Sequence, residues 1–175
     1  MKSTKYILRL TLMLLLITTV VAALLALTNS LTKDKIAEGT RQKAEAAMRE
    51  VLPAEHYEEL PAQADGITAA YLAKDAGYVV RVAAGGFGGA IDMMVGIDNN
   101  LHVTGVSIIS HAETASLGAN CTREEFRAQY IGATGTLSVN KDGGEIEALT
   151  GATVTSRAVT DGVNLALDFV KGVRK

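Results

Sequence analysis

One cysteine, two prolines, no tryptophan and 5% aromatic residues in a chain of 175 exclude several kinds of protein at the outset. The lone Cys121 makes no internal disulfide and cannot hold an iron–sulfur cluster, so the chain is neither a disulfide scaffold nor a cluster protein. We read it as a small buried apolar residue. His56, His102 and His111 show no metal-ligand spacing, and no metal site is expected. With so few prolines, the 17 glycines do not make a collagen pattern, and 48% hydrophobic against 21% charged residues is too apolar for disorder. Few aromatics also means few platforms for stacking single-stranded bases.

Charge excludes nucleic acid more firmly. Three of the 17 basic residues, Lys2, Lys5 and Arg9, precede any acid, so the remaining 14 face 19 acidic side chains, a net charge near −5. An acidic body repels a phosphate backbone. Behind those three cations runs LTLMLLLITTVVAALLAL, residues 10–27, without a charge and long enough to span the hydrocarbon core of a bilayer. Thr11, Thr18 and Thr19 are tolerated there because their hydroxyls bond back to the preceding turn. A cleaved signal is the alternative, but its apolar region is usually shorter and ends in a cleaner small-residue site. The expected topology is a single uncleaved span in the cell membrane, with Lys2, Lys5 and Arg9 cytoplasmic and the rest of the chain on the extracytoplasmic side.

The expected architecture is α+β, divided into an anchor at 1–30, a helical stalk at 31–62 and a domain at 63–175. Ile36, Ala44, Ala47, Met48, Val51 and Leu52 recur at helical spacing before Pro53 and Pro61. The pattern then changes. TAAYLAK, GYVVRVAA, AIDMMVGID and LHVTGVSII are short β-branched segments separated by Gly, Asp and Asn, which predicts an antiparallel sheet with a turn at Asp98-Asn99-Asn100, where Asn and Asp tolerate the positive φ a hairpin turn demands. A short helix is expected over Arg123–Tyr130 with Thr122 as its cap. A longer amphipathic one is expected over Ser156–Lys171, with Val159, Val163, Ala166, Leu167 and Val170 on one face.

Candidate chemistry sits just before that last helix, in Thr150-Gly151-Ala152-Thr153-Val154-Thr155-Ser156. A hydroxyl-rich helix start can be a simple cap, with Thr155 or Ser156 accepting a backbone N–H. It can equally hold an anion, because the first N–H groups are free and Gly151 lets a phosphate approach the backbone. The Gly85-Gly86-Phe87-Gly88-Gly89 run has no phosphate-loop register and is read as turn geometry that would also admit a ring or a partner. Ser110, His111 and Glu113 lie too close in sequence for a catalytic triad, and no catalytic residue is expected.

The string Thr150-Gly151-Ala152-Thr153 resembles the flavin-attachment motif of the FMN-binding domain family, Ser/Thr-Gly-Ala-Thr. A second stretch, Glu113-Thr114-Ala115-Ser116-Leu117-Gly118, resembles that family's flavin-contacting loop, Glu-Thr-Pro-Gly-Leu-Gly, with Ala115 and Ser116 in place of Pro and Gly. The resemblance implies FMN joined by its phosphate to Thr153, with Thr150, Gly151, Ala152, Glu113, Thr114, Leu117 and Gly118 around it. Lys141, the basic residue near the motif, is a further candidate for stabilising reduced flavin.

Anchor, sheet, Glu-Thr loop and terminal motif stand in an order similar to that of the G subunits of Rnf electron-transport complexes. The related C subunits of sodium-pumping NADH:quinone oxidoreductases are usually longer. The likeness implies an electron carrier within a ferredoxin:NAD oxidoreductase that moves ions. Its partners would be the other membrane and peripheral subunits, the membrane lipid around residues 10–27, and a flavin transferase that uses FAD and magnesium. A non-catalytic exported scaffold, with residues 150–156 as a cap only, is the reading from another class.

Overall fold

The computed structural model describes residues 2–62 and 64–174, with the backbone alone at residues 2–4; the expected boundaries at Met1, Gln63 and Lys175 fall outside them. The chain divides into two compact units, residues 1–42 and 43–175. In the first, helix α1 (Lys2–Val51) begins, and its apolar stretch is long enough to cross a membrane, with none of it buried against protein. The hydroxyls of Thr11, Thr18 and Thr19 donate to the carbonyls of Ile7, Leu14 and Leu15, so they leave no unmet polar group for lipid to solvate. The helix does not break at residue 30, where the anchor was expected to give way to a stalk.

The second unit is built on a five-stranded antiparallel meander in sequence order: β1 (Tyr57–Leu60), β2 (Ile67–Ala73), β3 (Gly77–Gly85), β4 (Ala90–Asp98) and β5 (Val103–Ser110). Four strands match the sequence reading to within two residues. β1 lies inside the stretch read as stalk; it is four residues long, with Glu58 and Glu59 exposed, and so carries too little alternation to be read. Charged residues suit it, because it forms an edge of the sheet.

Alternation sends Val80, Val82, Met93, Val95 and Ile97 to one face of the sheet, where helix α3 (Thr153–Val173) covers them with Val159, Val163, Leu167 and Val170, all fully buried. Each such side chain contributes about 1.5–3 kcal/mol on burial. Val79, Met94 and Ile109 point the other way and are covered by Ala44, Ala47, Val51 and Leu52 from the end of α1. The last turns of α1 are therefore part of the domain core. Gly96 makes this approach possible: a Cβ there would lie 2.5 Å from the Val51 carbonyl oxygen. The same carbonyl, left open at the helix end, accepts the Thr104 hydroxyl at 2.6 Å.

Three local expectations are corrected. The left-handed residue in the β4–β5 turn is Leu101 (φ 66°) rather than an Asn or Asp, because the Asp98 carboxylate accepts Asn100 N–H at 2.7 Å and His102 N–H at 2.8 Å and fixes the residues between. The helix expected over Arg123–Tyr130 is α2 (Glu124–Arg127) followed by a 3-10 turn, Ala128–Tyr130. Thr122 does not cap it; its hydroxyl closes the preceding 3-10 turn, Gly118–Thr122, by donating to Ala119 O. Finally, α3 starts at Thr153, three residues before the expected Ser156.

Gly96→Ala should cost about 1–3 kcal/mol, an overpacking effect that outweighs any gain in strand propensity, because the new Cβ would meet the Val51 carbonyl backbone as well as the Thr104 hydroxyl bonded to it. Thermal unfolding of the full chain measures it; an unchanged melting temperature would show that the helix end is free to retreat.

Candidate functional site

The motif before α3 is a tight turn whose parts are each explained by geometry. Ala152 N–H donates to Leu149 O at 2.9 Å, and Gly151 takes φ +75°, a conformation open to glycine at little cost. Ala152 is buried and precedes the helix as its cap residue, without a side-chain bond. Ser156 does not cap the helix. Its fully buried hydroxyl donates to Ala152 O at 3.0 Å and accepts Leu149 N–H at 2.9 Å, tying both sides of the turn to the helix. Thr153 is left as the first helical residue, with its side chain half-buried.

The chain leading into this turn has almost no regular structure, and side-chain amides hold it instead. Gln129 donates to Glu147 O at 3.3 Å and accepts Glu147 N–H at 2.7 Å; Asn164 pairs with both backbone groups of Leu137 at 2.8 Å; Asn140 accepts Ala148 N–H at 3.2 Å. Each amide does for the loop what a neighbouring strand would do.

Glu113 links the two segments. The residue is 8% exposed, and its carboxylate accepts Gly88 N–H at 3.0 Å on one oxygen and the Thr155 hydroxyl at 2.5 Å on the other. Glycines make room for it: a Cβ at Gly86 would strike the same carboxylate, and one at Gly118 would lie 2.5 Å from it and 2.7 Å from the Thr155 hydroxyl. After Glu113, a turn from Thr114 to Leu117 closes through Leu117 N–H to Thr114 O at 3.2 Å. Ser116 occupies its left-handed position at φ 63°, where the family pattern has Gly, and Ala115 stands at the preceding position, where the pattern has Pro. The turn survives both replacements. Asn120 helps by donating from Nδ2 to Ser116 O at 2.9 Å.

These elements enclose a cleft of about 420 Å³, within the range of small-molecule sites. It brings together seven of the nine residues singled out in the sequence: Glu113, Thr114, Leu117, Gly118, Gly151, Ala152 and Thr153. Thr150 is exposed and faces an adjoining groove with Leu149 and Arg123. Lys141 does not line the cleft; it is exposed in the 3-10 turn Asn140–Asp142, where the neighbouring Asp142 pairs with Arg157 at 2.6 Å. Phe87, Val154 and Thr155 also line the cleft; Val154 and Thr155 belong to the hydroxyl-rich stretch singled out before α3, and Phe87 to the glycine run read as able to admit a ring. Phe87, Leu117 and Val154 are 73%, 43% and 48% exposed, an apolar rim unusual for side chains with water as their neighbour. Cys121 is fully buried nearby, its thiol pushed up to about 11, mainly by burial and further by the charge of Glu113.

Ser116→Gly should raise stability by about 1 kcal/mol, the cost of a left-handed conformation for a residue with a Cβ; denaturant unfolding measures it, and no gain would mean the strain is already relieved. Because the folded Cys121 thiol titrates above its ordinary value of 9.0, its contribution is complete below pH 9 and is lost as pH rises toward 11. Native protein should therefore resist iodoacetamide at about pH 8 and react once unfolded; rapid alkylation of the native form would contradict this burial.

Comparison with known proteins agrees with the fold. Residues 86–168 match the model of the FMN-binding domain, and residues 1–51 that of the RnfG N-terminal region. The G subunit of the ion-translocating oxidoreductase complex of Methanosarcina acetivorans is 32% identical over 97% of both chains. The G subunit of the Na(+)-translocating ferredoxin:NAD(+) oxidoreductase complex of Acetobacterium woodii is 32% identical over 98% of this chain and 95% of its own. The corresponding protein of Stutzerimonas stutzeri is 34% identical over 88% of this chain and 76% of its own. With this similarity running along nearly its whole length, the chain belongs to the family of G subunits of ion-translocating Rnf complexes and contains an FMN-binding domain.

Proposed function

We propose that this chain carries FMN covalently on Thr153 and passes electrons within an ion-translocating ferredoxin:NAD oxidoreductase complex. The observation that carries the reading is that two segments some forty residues apart, Glu113–Gly118 and Gly151–Thr155, line a single cleft with the Thr153 side chain half-buried at its wall. The residues fit the cofactor. The start of α3 offers N–H groups that have no partner within the helix, suited to a phosphate, and the apolar rim of Phe87, Leu117 and Val154 suits a flat heteroaromatic ring.

Each residue then has a task. Thr153 offers the hydroxyl for a phosphoester, and Gly151, lacking a side chain, leaves the phosphate room. The first turn of α3 supplies positive dipole to that phosphate. Bound FMN supplies one-electron steps that connect nicotinamide, which moves two electrons together, to one-electron centres. Attachment at the phosphate leaves the ring electronically unaltered. Among the described residues, no side chain near Thr153 is placed to make its hydroxyl a nucleophile, so attachment calls for a separate flavin transferase. In that reaction the Thr153 oxygen forms the new phosphoester, the pyrophosphate bond of FAD breaks, AMP leaves and the hydroxyl proton is released. The complex is a membrane assembly, and residues 10–27 anchor this subunit in it, with the domain on the extracytoplasmic side.

Co-expression with a flavin transferase should add one FMN less one water to the intact mass, and Thr153→Ala should give a folded protein without that increment. In-gel flavin fluorescence after denaturation reads the same result. A flavin-bearing Thr153→Ala chain would place the attachment elsewhere, and an unmodified, correctly exported wild-type chain would remove the redox reading.

A further inference from the structure

Phe87 has no evident structural role. It sits with Gly88 at the tip of the β3–β4 hairpin, flanked by Gly86 and Gly89, which close the loop through Gly86 N–H to Gly89 O at 2.8 Å. It is 73% exposed, yet it lines the cleft. Exposing a phenyl ring is unfavourable, and four neighbouring glycines give it no cover. The loop is nonetheless held in place. Glu113 accepts the N–H of the very next residue, Gly88, and a Cβ at Gly88 would strike the Ala112 carbonyl, so the hairpin tip lies flat against the Glu113 loop.

The other oxygen of the same carboxylate takes the Thr155 hydroxyl, two residues beyond Thr153. One buried side chain thus sets the distance between the phenyl ring and the start of α3. Both of its oxygens are engaged by the protein.

We propose that Phe87 is the shield of the flavin ring and that Glu113 is the positioning residue that latches it, acting through the Gly88 N–H and not by touching the flavin. The shield rests on the proposed attachment at Thr153; the latch does not. With Phe87 in contact, one side of the ring is closed to solvent and small solutes. Glu113 transmits any movement of the hairpin to the attachment turn.

The test uses the full-length protein in detergent, with and without co-expressed flavin transferase. In the flavinylated protein, Phe87→Ala should raise iodide quenching of flavin emission severalfold, and Phe87→Trp, which places an electron-rich indole against the ring, should suppress emission at unchanged flavin absorbance. Unchanged quenching and emission would overturn the shield. In the protein without flavin, Glu113→Ala should speed chymotrypsin cleavage after Phe87 roughly tenfold, the effect on an opening equilibrium of losing one charge-assisted hydrogen bond. Glu113→Gln, which keeps an acceptor for Gly88 N–H, should restore most of the resistance. Equal cleavage of all three would overturn the latch. A wild-type chain that gains no flavin mass overturns the attachment and the shield together, while the cleavage rates still decide the latch.

Discussion

A buried carboxylate with both oxygens committed is the constraint on which the site depends. Taking Glu113 out of water is costly unless donors replace the lost hydration, and here a backbone N–H from the β3–β4 hairpin and a hydroxyl from α3 do so. The bridge joins segments remote in sequence and gives the cleft two fixed walls. Much of the surrounding composition follows from it. Gly86, Gly88 and Gly118 are small because the carboxylate and its own main chain occupy the space a side chain would need. Thr155 is a hydroxyl-bearing residue because the acceptor lies beside it. What looks in the sequence like a glycine run and an unrelated single glycine is one packing problem met from both sides.

The second organising feature is the use of side-chain amides in place of a sheet. Residues between Tyr130 and Thr153 carry little regular structure, and side chains hold the backbone groups of Leu137, Glu147 and Ala148. Gln129 and Asn164 each present a donor and an acceptor at the spacing of a peptide unit, and each binds both groups of one residue. The approach to the turn before α3 is thereby braced without being regular. Rigidity there matters for an electron carrier, since transfer depends on holding the ring at a set distance from its donor and acceptor.

How much of the molecule is legible in the chain varies with the range of the interaction involved. Strands β2 to β5 and the buried face of α3 are legible because alternation and helical spacing are local patterns repeated over many residues. β1 is not, since four residues with two adjacent glutamates show no period. The start of α3 is hidden because Ser156 looks like a cap, whereas its hydroxyl serves the turn behind it. The two motifs around the cleft are legible through their resemblance to a family, and seven of the nine residues do meet. Lys141 is near the motif in sequence alone, and the loop carries it away. The glycine run around Phe87 is legible as a turn that could admit a ring, but only the tertiary position of Glu113 reveals what the turn presents. Ser116 and Ala115 are the departures that put the loop in question; the left-handed φ at Ser116 shows that geometry is kept and only its ease is lost.

The order of elements along the chain has a consequence for biogenesis. Strands β1 to β5 each pair with the next, so the sheet can zip up as the polypeptide emerges. Its apolar face nevertheless stays bare until α3, the last element of all, arrives to cover it. That same helix brings Thr153. Under the proposed attachment, a maturation enzyme that must find this hydroxyl at the head of a formed helix would meet an acceptor only on chains that have finished folding, and half-made copies would pass undecorated.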